Sequence, residues 1–549
     1  MATLKITVFL FFVSITLCGQ EVSEKYTYFI NKADSLFRVE KYKESSLAFV
    51  EAIKWTEGKA FVNHRYDAAC AFALSGDKDK AFDQLYILAR RASFDNYSYL
   101  ATDMDLISLH SDTRWRPLLE IVKQNREQVF EKWPLVCQDA ATEVSANKIS
   151  AYIEKYVLDV NIKTSTKTVE VKGDIHVDFR GLDSLEVVLY RNTKIKNIGL
   201  KKENLVYSFN TISPSPIHYI PDGRKLTIYK QTDGQDKQTI HFDYVCYMDN
   251  VDGWGRSFSD EWIELGYYTA WYPVDINNRN IFSELMVTID KPYIVSGSGL
   301  VTKEGDKWRI SYPWPVFDNI IIASKDLKSK KVQFGSTVIE TVYTNFPETD
   351  IDSVLRAFND VVRFYEQIYG VQQSPYMKFV LCPTIGGGGY SRKNYVSLKT
   401  DKFGFNLKKG IAHEIAHFWW NKADVTTWED WLNEAFSEYS MLLYIKEIQG
   451  QSIFNAYVDA YTVNASISCP LWGIDRARPE AYTALYEKGA LILFEVHNRL
   501  GDKVFIPFLK KVLTNDIKTT KDFLQLVEAE LGHDQRMWFE MKLKAKNNE

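Results

Sequence analysis

The stretch that decides the fold is residues 410–420, which read GIAHEIAHFWW. In a helix, His413 and His417 lie four residues apart on one face, so both imidazoles can bind the same metal ion. Glu414 lies beside them, where its carboxylate can accept a proton from water. The whole chain has only 9 His, which makes a chance match to this spacing unusual. The stretch therefore predicts a zinc site of the hydrolase type, and the alternative is an amphipathic helix with two incidental histidines.

A catalytic zinc site needs a third protein ligand, and a carboxylate from a following helix can supply it. Residues 431–438 read WLNEAFSE and predict such a helix, with Glu434 facing the two histidines. Glu438 lies one turn further on, where it can accept a hydrogen bond from the outer nitrogen of a ligand histidine. The alternative for Glu438 is a solvated position on the helix surface.

A third motif, residues 481–491, reads AYTALYEKGAL. Amide hydrolysis passes through an oxyanion, and a phenol near the metal can donate a hydrogen bond to it. Tyr486 is the candidate donor and Tyr482 is the next to consider. The chain has 32 Tyr, most of which must be structural, so this motif is weak when taken alone.

Together, in this order, the three motifs resemble those of the gluzincin family of zinc metallopeptidases that contains aminopeptidase N and leukotriene A4 hydrolase. The resemblance implies one Zn²⁺ per chain, a general base at Glu414 and transition-state stabilisation by Tyr486. The zinc ligands that it implies are His413, His417 and Glu434. The connection from His417 to Glu434, residues 418–433, is slightly shorter than is usual in the family, which a tighter loop can accommodate.

Substrate recognition is where the chain departs from this family. Aminopeptidases of the family carry Gly-x-Met-Glu-Asn on a strand that lines the cleft, and its glutamate binds the free α-amine of the substrate. The corresponding residues 386–394 read GGGGYSRKN and contain no acidic residue. The residues expected to contact substrate here are Gly387, Gly388, Gly389, Tyr390 and Arg392.

Successive glycines permit close approach of a bound peptide to the backbone, so the role of an edge strand in binding can persist. Arg392 or Lys393 can favour a carboxylate in place of an amine. Glu264 lies about where the family places a second amine-binding residue. The alternative for residues 386–394 is a glycine turn followed by a solvated Arg-Lys pair.

Composition and charge limit the other functions. The chain has 549 residues, of which 46% are hydrophobic, enough for several domains with sizeable cores. Its net charge of −4 offers no basic field, so nucleic acid is not an expected partner.

The first residues predict export. Residues 6–17 form a short apolar run after a charged start, as in a secretory signal peptide, and we expect cleavage near residue 20. The run is too short to span a bilayer, so we expect a periplasmic or extracellular protein with no transmembrane segment in the mature chain. Lipid anchoring at Cys18 is the alternative.

The pattern along the chain predicts a multidomain α+β protein. Its expected parts are a signal peptide (1–20), a helical tetratricopeptide-like region (21–145), an antiparallel β domain (146–331) and a thermolysin-like zinc peptidase domain (332–549). In the helical region, Ala33 corresponds to Ala69 and Phe49 to Leu85, a shift of 36 residues that resembles a tetratricopeptide repeat. Residues 23–129 can dock a protein partner or brace the enzyme.

These observations predict an exported zinc metallopeptidase that acts on peptides or proteins, with altered recognition of the amino terminus. Two alternatives stay open at this point. One is a catalytically weak scaffold that binds partners through its helical repeats. The other is a hydrolase of a non-peptide substrate, since leukotriene A4 hydrolase shows that the family includes such activity.

Overall fold

The computed structural model describes residues 24–132 and 150–546, except residues 202, 232–234, 250, 278, 372–373, 384–387 and 401–402. The expected signal peptide, Cys18 and Gly387 therefore lie outside the described residues. The chain divides into two compact units. One contains Met1–Val136, Lys446–Cys469 and Lys546–Asn548, and the other contains Cys137–Ile445 and Pro470–Ala545.

The first unit is helical. Its amino-terminal helices are α1 (24–38), α2 (Tyr42–Trp55), α3 (Val62–Leu74), α4 (Lys78–Arg91), α5 (Tyr97–Thr102) and α6 (Trp115–Glu131), with a 3₁₀ turn at Met104–Leu109. The later helix Gln451–Ile467 packs against α5 in the same unit.

Small residues let the first helices approach closely. Ala33, Ala52, Ala68 and Ala71 are fully buried in one cluster, together with Phe49. The positions predicted to be equivalent, Ala33 with Ala69 and Phe49 with Leu85, are all buried on consecutive helices. Membership of the tetratricopeptide family stays a prediction.

The β-rich part of the second unit forms three sheets. Its strands are β1 (Tyr152–Lys163), β2 (Thr168–Asp178), β3 (Ser184–Tyr190), β4 (Thr193–Leu200), β5 (Glu203–Asn204), β6 (Tyr207–Phe209), β7 (Gly223–Tyr229), β8 (Lys237–Tyr247), β9 (Asp252–Gly253), β10 (Arg256–Phe258), β11 (Ile263–Leu265), β12 (Val274–Asp275), β13 (Phe282–Ile289), β14 (Ile294–Gly297), β15 (Leu300–Glu304), β16 (Lys307–Ser311) and β17 (Ile321–Ser324). The sheet orders are β15-β16-β13-β1-β2-β8-β4-β5, β12-β3-β7-β6 and β14-β17-β11-β10-β9.

Alternation of apolar and polar residues explains how these strands fold. On β1, Leu158, Val160 and Ile162 are buried while the exposed Asp159 lies between them. Most strand pairs are antiparallel, as predicted, but β1 pairs with β13 in parallel. That pairing joins residues more than a hundred positions apart in the chain, which local alternation does not reveal.

The rest of the second unit combines a smaller sheet with helices. Its strands are β18 (Lys328–Phe334), β19 (Thr337–Tyr343), β20 (Tyr376–Cys382), β21 (Gly389–Arg392) and β22 (Tyr395–Lys399). Its helices are α7 (Glu348–Tyr369), α8 (Phe405–Ala416), α9 (Trp431–Gln449), α11 (Gly489–Leu500), α12 (Asp502–Thr514), α13 (Thr520–Leu531) and α14 (His533–Lys544). The helix between α9 and α11 is α10 (Gln451–Ile467), which belongs to the first unit. The sheet order is β18-β19-β20-β22-β21, so β21 is an edge strand.

This architecture agrees with the predicted multidomain α+β fold. Helix α8 packs against β21 and β22, which places its residues beside the edge of the sheet. Among the described residues, no helix combines the length and the apolar character needed to cross a membrane.

Candidate metal centre and active site

Helices α8 and α9 bring the three predicted ligands together. His413 lies in the last turn of α8, His417 follows at its carboxy-terminal cap, and Glu434 lies in the first turn of α9. The Nε2 atoms of His413 and His417 are each 3.3 Å from Glu434 Oε2. The three ligand atoms all lie within 4.8 Å of one another, so one ion can contact all of them.

The outer nitrogens of both histidines have partners that orient the rings. His413 Nδ1 donates to Glu438 Oε2 at 2.6 Å, and the Glu438 side chain is only 6% exposed. His417 Nδ1 lies 3.0 Å from the Trp420 carbonyl oxygen and 3.0 Å from Ser437 Oγ. With the proton on Nδ1, each Nε2 is unprotonated and faces the centre. Metal binding requires this tautomer. The solvated alternative for Glu438 does not agree with this burial.

The electrostatics of the three ligands also fit a cation. Burial alone would raise the pKa of Glu434, but His417 and His413 hold it well below the usual range. Glu434 Oε2 is buried between the two imidazoles. It lies 3.3 Å from each Nε2 atom but forms a hydrogen bond with neither. A buried carboxylate oxygen is costly without a partner, and a divalent ion would satisfy it. Two imidazole nitrogens and one carboxylate form a donor set that suits zinc.

Glu414 is placed to exchange protons next to this centre. It follows His413 on α8, and its side chain is buried. Burial raises the pKa of Glu414, and the nearby His413 and His417 offset part of that rise. A carboxylate with a raised pKa can both accept and release a proton near neutral pH.

The Tyr486 ring stacks on one of the predicted metal ligands, His413. It belongs to a π-helical turn, Thr483–Lys488, a kind of turn that often marks functional sites. Its ring stacks on the imidazole of His413 with centroids 5.8 Å apart and planes 9° apart. Burial and Glu434 raise the pKa of Tyr486, so its phenol keeps its proton and can donate it in a hydrogen bond. Tyr482 is 51% exposed and stacks on the outside of Tyr486 at 4.4 Å.

The glycine-rich segment forms the edge strand that the sequence predicted, as far as it is described. Gly389 opens β21 and pairs with Leu398 of β22. A Cβ atom on Gly389 would lie 2.3 Å from Leu398 Cδ2 and 2.7 Å from the Ser397 carbonyl oxygen. Glycine is therefore required at this position by close packing inside the sheet. A Cβ on Gly388 would meet the indole of Trp254 at 3.2 Å, and φ there is +109°.

Tyr390 and Glu264, both predicted to contact substrate, are bonded to each other. The Tyr390 hydroxyl donates to Glu264 Oε1 at 2.6 Å, and Trp262 Nε1 donates to the other carboxylate oxygen at 3.2 Å. Glu264 is 2% exposed and Tyr390 is 6% exposed. Tyr390 lies on the inner face of β21, so its side chain reaches the β-rich core and bonds to Glu264 there.

Arg392 is also not the solvated cation of the alternative interpretation. Its Nε donates to Asp318 Oδ2 at 3.0 Å, and the two side chains are 12% and 1% exposed. Its guanidinium carbon lies 4.7 Å from the ring centroid of Tyr390 and 5.0 Å from that of Phe317. The charge expected to attract a substrate carboxylate is therefore already paired with Asp318. Lys393 is exposed.

Two charged residues, Asp430 and Arg476, form an ion pair but belong to none of the three sequence motifs. Arg476 Nη2 lies 2.9 Å from Asp430 Oδ2, and their side chains are 9% and 1% exposed. Asp430 is the last residue before α9, and Arg476 lies in the connection that precedes the π-helical turn of Tyr486. Only the fold brings these two residues together, so no spacing rule identifies them.

Comparisons with known proteins agree with this geometry. Residues 397–536 match the family model described as Peptidase family M1 domain. That match includes both histidines, Glu414, Glu434 and Tyr486. It supports a hydrolase of the peptidase type. A search of curated protein sequences gives no significant match.

Solved structures show the fold of the larger part of the chain. The M1 zinc metallopeptidase from Deinococcus radiodurans aligns with a TM-score of 0.57 at 16% identity, over 72% of this chain and 95% of that one. A variant of that enzyme was solved with a Tyr-Ser-Ala substrate. Leukotriene A4 hydrolase from Saccharomyces cerevisiae aligns with a TM-score of 0.59 at 16% identity, over 76% of this chain and 71% of that one. At such identities the likeness shows the fold alone.

Proposed function

We propose that this protein is an exported, zinc-dependent metallopeptidase that hydrolyses peptide bonds. The observation that carries the proposal is the convergence of His413, His417 and Glu434, with the buried carboxylate of Glu414 beside them. The match of residues 397–536 to a peptidase family supports the same function. Export rests on the charged start and apolar run of the first residues.

The residues have distinct tasks in this proposal. His413, His417 and Glu434 would hold one zinc ion, which when bound supplies a Lewis acid and lowers the pKa of water. Glu414 accepts a proton from the attacking water and later delivers it to the leaving amine. The Tyr486 hydroxyl donates a hydrogen bond to the oxygen that becomes negative as the carbonyl carbon turns tetrahedral.

Of the two alternatives, the catalytically weak scaffold has less support. A purely structural metal site needs neither a buried general base nor a phenol stacked over a ligand, and this chain has both in Glu414 and Tyr486. The non-peptide hydrolase retains one supporting observation, the structural likeness to leukotriene A4 hydrolase.

We test the proposal by separating metal binding from proton transfer. Purified protein should contain one zinc per chain, and His417→Ala or Glu434→Ala should lose it. Glu414→Gln should keep the metal and lose about a thousandfold or more in kcat, because it removes proton transfer without removing a ligand. Metal content is measured by atomic emission and activity by mass spectrometry on a mixed peptide library. Equal zinc in the wild type and both ligand variants would refute the site.

Recognition of the substrate amino terminus forms the finer part of the proposal. One charge-assisted contact to an amine contributes about 1.5 to 3 kcal/mol, and residues 386–394 supply no carboxylate for it. The buried Glu264 is already bonded to Tyr390. We therefore propose weak preference for free amino termini, so that both exopeptidase and endopeptidase cleavage occur.

The acetylation of one peptide decides this point. We expect kcat/KM for the acetylated form to lie within about tenfold of that for the free form, since residues 386–394 contain no carboxylate that loss of the amine would leave unpaired. The same peptide with an amidated carboxy terminus controls for recognition of the other end. Discrimination of about a thousandfold against the acetylated form would show that another acidic residue binds the amine.

A further inference from the structure

One exposed tryptophan lies beside the glycine-rich segment. Trp254 is in the turn between β9 and β10 and is 41% exposed. Among the large hydrophobic residues that are exposed in the described part of the chain, it is the only tryptophan. Tryptophan is enriched where proteins bind other molecules. Single apolar side chains are common on protein surfaces, so the surroundings of this ring decide whether it forms a binding site.

The turn that carries Trp254 is held in place from two directions. Lys399 of β22 donates through Nζ to the Gly253 carbonyl oxygen at 3.0 Å. On the other side of the ring, a Cβ atom on Gly255 would lie 2.3 Å from Tyr268 Cδ2, and φ there is +64°. Only glycine lets the turn pack this closely on the tyrosine. The indole is therefore presented by a turn whose backbone is fixed on both sides.

Two buried tyrosines support the indole from inside. The ring centroids of Trp254 and Tyr268 lie 4.5 Å apart, and those of Trp254 and Tyr390 lie 5.9 Å apart. Tyr268 is 7% exposed and Tyr390 is 6% exposed, so one side of the indole is packed against the protein. The other side is flat, apolar and in water. An aromatic side chain can stack there, a contact that stabilises beyond the area that it buries.

The indole also lies beside the strand against which the ligand helix packs. A Cβ atom on Gly388 would lie 3.2 Å from Trp254 Nε1, so the indole borders the residue just before β21. The next residue packs on Leu398 Cδ2, which also lies 3.2 Å from the Cβ position of Gly410 on α8. Gly410 precedes the predicted ligand His413 by about one helical turn. A peptide that pairs with the edge strand β21 would thus reach both the indole and the ligand helix within a few residues.

We propose that Trp254 forms a subsite for an aromatic side chain of the bound peptide, at one fixed position relative to the cleaved bond. This inference rests on the proposed peptidase function and adds a substrate class to it. The position is fixed because the turn of Trp254 bonds to β22 through Lys399, and α8 packs against the same strand. A methyl side chain leaves the indole in water, whereas a phenyl ring covers it, so aromatic residues should be preferred.

Paired peptides test this preference. One peptide with a free amino terminus is made with a single Phe in place of Ala at each position in turn, and mass spectrometry gives the cleaved bond and kcat/KM. At one position relative to that bond, Phe should raise kcat/KM of the wild type by about tenfold or more over Ala. Trp254→Ala should reduce this ratio to less than about threefold. Because the ratio compares two substrates on the same protein, it does not depend on the fraction that is folded.

Tyr229→Ala is the matched control. Tyr229 is exposed to a similar degree, 43%, but lies on β7 in another sheet, so the variant should leave the ratio unchanged. Trp254→Leu keeps an apolar contact with Tyr268 and carries the test if Trp254→Ala fails to fold, as judged by circular dichroism. It should lower the ratio by about threefold or more. No preference for Phe at any position, or a preference that persists in the Trp254 variants, would overturn the inference.

A second readout does not depend on catalysis. In full-length protein labelled with fluorotryptophan, the fluorine resonance that is missing from Trp254→Leu identifies Trp254 in the NMR spectrum. N-acetylphenylalanine amide should shift this resonance, whereas N-acetylalanine amide at the same concentration should not. Equal shifts with the two probes, or no shift with either, would count against the subsite. If the wild type cleaves no peptide but only the aromatic probe shifts the resonance, the proposed function fails and the subsite stands.

Discussion

At the residue scale, Glu438 orients one of the predicted metal ligands, His413. It accepts a hydrogen bond from His413 Nδ1 and thereby directs His413 Nε2 to the centre. Removing such a partner of a ligand histidine lowers metal affinity by about 10- to 100-fold in known metal sites. The nearby Ser437 has the corresponding task for His417.

We therefore expect Glu438→Ala to weaken zinc binding by about 10- to 100-fold while one ion is still bound at saturating metal. Glu438→Gln keeps an acceptor for His413 Nδ1 without the charge and should show a smaller loss. Competition against a chromogenic chelator measures both affinities. Wild-type affinity in Glu438→Ala would mean that the ring is oriented by packing alone.

The residues of the site differ in how far the sequence could predict them. The ligands, Glu414 and Glu438 follow from spacing on two helices, because a helix fixes which side chains share a face. Asp318 and Asp430 could not be predicted from spacing. The partner of Asp318, Arg392, lies 74 residues away in the sequence, and the partner of Asp430, Arg476, lies on a separate connection. The inner orientation of Tyr390 depends on the register of β21 with β22, which the sequence does not determine.

At the element scale, the packing of α9 against α11 depends on one glycine. Gly489 begins α11 with ordinary helical dihedrals, so its backbone does not require glycine. A Cβ atom there would instead lie 2.5 Å from Ala435 Cβ on α9. The glycine lets the turn that carries Tyr486 approach the helix that carries Glu434.

We expect Gly489→Ala to destabilise the protein by about 1 to 3 kcal/mol, because the added methyl group overpacks this contact. It should also lower kcat, since Tyr486 precedes the displaced helix by one turn. Gly404→Ala is the control, because no heavy atom lies within 4 Å of the Cβ that it adds and its φ of 179° suits any residue. Urea unfolding measures both variants, and equal stabilities would contradict the close contact.

Strand β20 carries a buried lysine that predicts a dependence of stability on pH. Lys378 Nζ donates to the carbonyl oxygens of Gly297 and Gly299 at 2.7 and 2.9 Å. Burial lowers its pKa from 10.5 to about 8. Below pH 8 the folded protein contains a buried ammonium group, which opposes folding. Between about pH 8 and 10.5 the folded form loses that proton while the unfolded chain still holds it, so stability rises with pH.

Relative to Lys378→Met, the wild type should therefore gain about 3 kcal/mol of unfolding free energy as the pH rises from 8 to 10.5. Comparing the two proteins cancels groups that titrate in both, including the buried tyrosines. The lost bonds to Gly297 and Gly299 add only a constant difference. Urea unfolding at half-unit intervals of pH measures the effect, and a difference that does not change with pH would place the lysine pKa near its ordinary value.

Patterns within one element were predictable, whereas partners across the chain were not. The alternation on β1 identifies its buried face, and the amphipathic run in α7 identifies a helix, which begins at Glu348. The parallel pairing of β1 with β13 follows from long-range topology. It has no local signal, because both strands alternate in the same manner as their antiparallel neighbours.

At the scale of the whole molecule, helix α10 belongs with the amino-terminal helices. Residues 332–549 are predicted to form one zinc peptidase domain. Within this range, Lys446–Cys469, which contains α10, belongs to the same compact unit as the amino-terminal helices. Periodicity shows that α10 has an apolar face but not which helix covers it. The amino-terminal helix α5 thus packs against a helix that lies, in the sequence, between the motifs of Glu434 and Tyr486.

Deleting residues 24–132 removes α5, against which α10 packs, and deprives the apolar face of α10 of its cover within the unit. Helix α10 carries three buried aromatic residues, Phe454, Tyr457 and Tyr461. Because such side chains bury about 150 to 250 Å² each, we expect the shortened protein to aggregate.

A second deletion distinguishes loss of cover from loss of folding. In this variant, residues 24–132 are deleted and residues 451–467 are replaced by about ten Gly and Ser residues. The apolar face of α10 is then absent, and the linker can still span the length of the lost helix. We expect this protein to be soluble and to bind zinc, because all the predicted ligands lie in the other unit. Size-exclusion chromatography and zinc content measure the outcome. If the first deletion alone is soluble and cleaves short peptides but fails on folded protein substrates, the amino-terminal helices dock a partner rather than brace the enzyme.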